Sequence, residues 1–243
     1  MWATSAVRKG RRRTMINHHP DQNLLTEYAS GSLAWALSIG VCAHIQLCTQ
    51  CRQKVFNLNK IGGAMLNGVA AEVCAPNSFE KLMLKIQQET KTEKATEVVA
   101  VGELKNAYRY DPLLNRLPQI VEKLLPVDGK LKWKRVSSAL KTARLTAGQN
   151  EYEIAFQCIS SGGKVVEHGH RGLELTLILQ GSFSDERGVY TKGDFLVRNA
   201  GEVHRPTATL NQDCLCLSVV AAPVFVTGFL GYFINPFLSI KPA

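Results

Sequence analysis

Gly162 is followed after five residues by His168, after one more by His170, after three by Glu174 and after six by Gly181. Side chains two apart on a strand leave from the same face. His168 and His170 therefore project together from one strand into the interior of a barrel, and Glu174 re-enters after a turn. Further on, His204 follows two more turn glycines, Gly193 and Gly201. Three imidazoles and a carboxylate form an open site for a divalent cation, and zinc, manganese, iron, nickel and copper all tolerate that donor set.

The surroundings of this cluster read as strands. Apolar residues alternate at Tyr152, Ile154, Phe156 and Cys158, at Leu173, Leu175, Leu177 and Leu179, at Phe195 and Val197, and at Leu215, Leu217 and Val219. Glycines at 162, 163, 181, 188, 193 and 201 separate the runs. Many short strands with regular turns imply a barrel or sandwich.

Upstream the period is helical. Asp21 is a suitable N-cap for a helix with Leu24, Leu25 and Tyr28 on one face, which Gly31 closes. Ser32 is expected to cap a second helix through Leu33, Trp35, Leu37, Ile39 and Val41. A third runs from Cys51 through Val55, Phe56, Leu58 and Ile61, its second half loosened by Gly62 and Gly63. Ser78 caps a fourth through Phe79, Leu82, Met83 and Ile86. At the second junction His44, Cys48 and Cys51 form an H-x3-C-x2-C cluster. His44 and Cys48 lie one helical turn apart and can face one ion, while Cys51 returns across the turn. Structural zinc takes four ligands, so one more is needed, and His18 and His19 both offer it. A thioredoxin-like redox pair is the alternative for the two cysteines, but such a pair follows a strand rather than a helix.

Seven cysteines without an apolar leader read as thiols or ligands in a reducing cytoplasm. No run of 18 apolar residues occurs, so no membrane partner is expected. The net charge of +9 draws on Arg8, Lys9, Arg11, Arg12 and Arg13, a tail with no acidic residue. No recognition helix with clustered Arg or Lys accompanies it, which argues against direct nucleic-acid binding. Translation is expected to start at Met15, with residues 1–14 not part of the native protein.

The glycine, histidine and glutamate spacing matches the first cupin motif at every fixed position. Gly193, Gly201 and His204 fill the second, with Asn199 in place of its proline and Ala208 in place of its asparagine. The segment with His18, His19, LLTEYASGSL and AHIQLCTQC resembles the zinc-binding anti-sigma domain of the ChrR group. That resemblance implies zinc at His19, His44, Cys48 and Cys51, and a divalent metal, zinc or another transition metal, at His168, His170, Glu174 and His204. It also implies an extracytoplasmic-function (group IV) sigma factor as partner, released on an oxidative signal of the singlet oxygen or peroxide type. No catalytic residue is assigned. The competing reading is a cupin metalloenzyme such as a metal-dependent dioxygenase, to which a zinc-stapled helical bundle adds nothing obvious. Two domains are expected: a small all-α zinc-binding bundle over 15–88 and an all-β cupin barrel, a double-stranded β-helix, over 109–243. A polar linker over 89–108 would join them as separately folding modules.

Overall fold

The computed structural model describes residues 15–70, 75–93, 113–114, 116–126, 130–149 and 151–237. The basic tail before Met15, most of the expected linker and Cys74 lie outside the described residues.

Helix α1 spans Gln22–Ser30, capped as expected by the Asp21 carboxylate, which accepts from the Leu24 N–H. Helix α2, Trp35–Leu47, begins later than anticipated, and its N-cap Ala34 makes no side-chain bond. Ser32 turns back instead, reaching Ser30 Oγ at 3.0 Å and the Glu27 carbonyl at 3.4 Å, so it finishes α1 rather than starting α2. Helix α3, Thr49–Asn67, runs straight through Gly62 and Gly63. Its first half packs on α1 and α2 through Cys51 and Val55, and its second half stands in solvent. Helix α4, Ser78–Glu93, enters the stretch read as linker. No single helix among the described residues is long and apolar enough to cross a membrane.

The second half is a cupin-like antiparallel barrel. A short helix α5, Gln119–Glu122, leads into strands β1 (Trp133–Arg135), β2 (Leu140–Leu145) and β3 (Glu153–Ile159). Then come β4 (His168–His170), β5 (Glu174–Gln180), β6 (Ser182–Asp185), β7 (Gly188–Thr191) and β8 (Phe195–Arg198). Strands β9 (Val203–His204), β10 (Thr207–Ala208), β11 (Cys214–Val220) and β12 (Val224–Val226) precede a closing helix α6, Gly228–Ile234. The large sheet has the order β1-β2-β3-β11-β5-β8, with β10-β6-β7 and β12-β4-β9 as smaller sheets. The four alternating runs seen in the sequence are β3, β5, β8 and β11.

Both faces of the large sheet are covered, which is why β5 and β11 are buried along nearly their whole length. Ile159, Ile178, Leu196, Cys214 and Cys216 pack inside the barrel with Phe183, Tyr190 and Ala208. Phe156, Leu175, Leu177, Leu215, Leu217 and Val219 face the other way, into one core with Leu25, Leu37, Ile39 and Val41 of the helices. The helical part and the barrel therefore share a core. Burial of a Leu, Ile or Val side chain stabilises by roughly 1.5–3 kcal/mol, so this seam is a substantial one.

Helix α2 approaches the sheet at Gly40, where an added Cβ would meet both Leu175 methyls at 2.8 Å. Leu175 is itself buried, so its side chain has little room to withdraw. Gly40→Leu is expected to lower the unfolding free energy by about 1–3 kcal/mol through overpacking. Urea denaturation checks this, and an unchanged midpoint would mean that α2 does not lie this close to β5.

Candidate metal centres

The junction of α2 and α3 builds the first cluster. Cys48 ends α2 and caps α3, its sulfur accepting from the Cys51 N–H at 3.5 Å. Cys51 sits in the first turn of α3, and His44 lies one turn back on α2. His19 arrives from the segment before α1, its Nδ1 at 3.5 Å from Cys48 Sγ and 3.4 Å from Cys51 Sγ. The ligand atoms of His19, His44, Cys48 and Cys51 all lie within 4.8 Å of one another. A tetrahedral zinc with sulfur at about 2.3 Å and nitrogen at about 2.0 Å sets these atoms about 3.5 Å apart, so the spacing fits.

His44 supplies the sharper observation. Its Nδ1 donates to the Gly193 carbonyl at 2.9 Å, which fixes the tautomer and leaves Nε2 as a lone pair. That Nε2 is buried and has no hydrogen-bond partner. An unsatisfied buried polar atom costs about 1–3 kcal/mol, and a metal ion would satisfy this one. Burial holds the His44 imidazolium down to about 4, so the ring is neutral, as a ligand must be. Burial, with Cys48 adding to it, pushes the Cys51 thiol up to about 12, and a bound cation reverses that bias by drawing out the thiolate.

Of the two early histidines, the structure brings His19 to the cysteines. His18 turns to the barrel: its Nδ1 lies 3.5 Å from Asp194 Oδ2 and its ring rests edge-on against Tyr190.

The second cluster lines one end of the barrel. His168 and His170 lie on β4, Glu174 opens β5, and His204 on β9 pairs directly with His168. Their ligand atoms also fall within 4.8 Å of one another. His204 Nε2 stands 3.1 Å from His168 Nε2 and 3.2 Å from His170 Nε2. Imidazole nitrogens about 2.1 Å from one ion lie about 3.0 Å apart at right angles and about 3.4 Å apart in a tetrahedron. His170 Nδ1 lies 3.1 Å from Glu174 Oε2, yet it is a buried atom with no hydrogen-bond partner. The geometry is one of convergence on a point rather than of donors aimed at acceptors.

An outer set of bonds orients these ligands, and none of it was anticipated. His168 Nδ1 donates to the Val166 carbonyl at 2.9 Å, and Ser218 Oγ donates to Glu174 Oε1 at 2.8 Å. Asp185 stands behind His204, with Oδ2 at 3.3 Å from Nδ1, and takes the Arg198 guanidinium at 2.6 Å and the Tyr190 hydroxyl at 2.9 Å. Burial works against the Asp185 charge, but the Arg187 N–H, Arg198 and Tyr190 outweigh it and hold the carboxyl below its usual range. Burial, with His168 beside it, brings His204 down to about 4, leaving it a neutral ligand. Asn199, where the motif has proline, keeps an N–H that donates to Glu202 Oε2 at 2.9 Å. Glu202 thus ties this turn in place of the missing ring.

Fold and sites define a cupin with a candidate metal cluster in its barrel and a second, cysteine-containing one in a helical part docked on that barrel. The ChrR cupin-like domain family matches residues 123–222. Anti-sigma-E factor ChrR of Cereibacter sphaeroides is 31% identical over 226 residues, covering 93% of this chain and 99% of that protein. The chain belongs to the ChrR family. Its fold also matches the crystal structure of Rhodobacter sphaeroides SigE in complex with the anti-sigma ChrR. That match has a TM-score of 0.66 and 29% identity, and covers 85% of this chain and 99% of that one.

Proposed function

We propose that this protein is a non-catalytic anti-sigma factor of the cytoplasm. It holds an extracytoplasmic-function (group IV) sigma factor with its helices, stapled by zinc at His19, His44, Cys48 and Cys51. The observation that carries this is the apolar surface left in water by the second half of α3 and by α4. Met65 and Leu66 are each 72% exposed, and Phe79, Leu82 and Met83 on α4 are exposed as well. Large apolar side chains left exposed on a folded chain point to a partner site, and the relative was solved in complex with SigE.

Release falls to the barrel. His168, His170, Glu174 and His204 would hold a divalent metal, a place where an oxidant of the singlet oxygen or peroxide type can act. To matter for sigma, that event must change the affinity of the helices by about 1–3 kcal/mol. The shared core offers a route for it.

The test is pull-down of group IV sigma factors from the native cell with the full chain, then with Leu66→Glu and Leu82→Glu. Capture by the full chain and at least tenfold loss in the variants are expected. Undiminished capture would move the interface elsewhere, and capture of no sigma factor would sink the reading. For release, His204→Ala should retain sigma yet fail to free it under oxidant, read from a sigma-dependent promoter. Constitutive transcription there would show that the barrel site is needed for holding.

A further inference from the structure

The helical cluster does not stand on the helices alone. Residues 193–195, the turn between β7 and β8 with the first residue of β8, touch His44 and the backbone that leads into His19. The Gly193 carbonyl takes the His44 Nδ1 proton at 2.9 Å, and Phe195 lies edge-on against the His44 ring. On the other side, Asp194 Oδ1 accepts from the Asn17 N–H at 2.8 Å and the His18 N–H at 3.0 Å. The Phe195 N–H donates to the His18 carbonyl at 3.0 Å. That peptide leads directly into His19. Asp194 is anchored in turn, its Oδ2 accepting from the Thr191 N–H at 2.7 Å. Gly193 adopts φ +94 and lies so near Ile16 that a Cβ would come within 2.5 Å of its side chain. The turn therefore clasps the segment at 16–18.

We infer that the helical metal centre is a composite of both halves of the chain, with Asp194 of the barrel as its positioning residue. This rests on the reading that His19, His44, Cys48 and Cys51 hold a metal. Hydrogen bonds behind metal ligands are worth about 10–100-fold in metal affinity. By reciprocity, the cation that fills the centre tightens the helices onto the barrel by the same factor.

Cobalt(II) titration of the full chain tests this. Thiolate-to-cobalt charge transfer reports the helical centre alone, since the barrel cluster has no sulfur among its ligands. Asp194→Ala should weaken cobalt, and zinc competing for it, by about 10–100-fold at that band. The remaining bound cobalt should fill as in the unmodified protein. Asp194→Asn, which keeps an oxygen for Asn17 and His18, should recover most of the loss. An Asp194→Ala affinity within twofold of the unmodified chain overturns the composite centre and leaves the metal reading standing. No charge-transfer band in the unmodified chain overturns both. If Asp194→Ala does not fold, Asn17→Pro removes one donor to the same carboxylate outside every helix and strand. It should weaken cobalt several-fold, and unchanged affinity there likewise overturns the proposal.

Discussion

Cys48→Ser is expected to strip the metal from the helical centre and, with it, most of the order of α1 to α3. The substitution separates two roles of Cys48. Serine is a good N-cap, so the bond from the Cys51 N–H that starts α3 survives, and only the ligand is lost. Structural zinc contributes roughly 10–16 kcal/mol to small domains, or about 2.5–4 kcal/mol per ligand when shared over four. One lost thiolate should therefore reduce zinc affinity by about 10²–10³-fold. Leu25, Ile39 and Val41, fully buried aliphatic residues of the helices, lie in the core shared with the barrel, so without the ion that seam alone orders the helices. Zinc content by mass spectrometry, far-ultraviolet circular dichroism and sigma capture should fall together. A metal-free Cys48→Ser chain of unchanged helicity that still captures sigma would refute the structural role of the ion.

Asp185→Ala should be the most damaging single change in the barrel. It leaves the Arg198 guanidinium, whose side chain is 7% exposed, without the fully buried carboxylate now 2.6 Å away. Removing one partner of a buried ion pair costs about 3–5 kcal/mol, and here His204 loses its support as well. Guanidinium denaturation should show that loss. The double variant Asp185→Ala, Arg198→Leu should recover part of it, since no charge is then stranded. A single variant destabilised by under about 1 kcal/mol would mean that Arg198 finds another acceptor or water.

Part of each donor set was legible in the sequence because it uses local geometry. His168 and His170 share a strand face, and His44, Cys48 and Cys51 span one helix junction. The choice between His18 and His19 was not local. Two adjacent histidines have the same chemistry, and only the pull of Asp194 on the His18 backbone turns one to the barrel and the other to the cysteines. Strand alternation located β3, β5, β8 and β11 but not the role of their faces. The leucines of β5 face the helices, while Glu174 and Ser218 on the opposite faces of β5 and β11 form and support the metal cluster inside the barrel. Gly62 and Gly63 were expected to loosen α3, and two glycines at about 1 kcal/mol each leave it a continuous 19-residue helix. Contacts such as His44 to Gly193, 149 residues apart, leave no periodic trace at all.

Helix α2 is buried nearly all round, with Leu37, Ile39, Gly40, Val41, Ala43 and His44 enclosed by α1, α3, α5 and the sheet. Such a helix is dressed for one host. Grafted onto another sensor domain, it would carry an unmatched apolar flank and a histidine without its carbonyl, so the helical part is not an interchangeable cassette. Swaps between relatives should succeed only when the outward leucines of β5 and β11 and the turn at 193–195 travel with it.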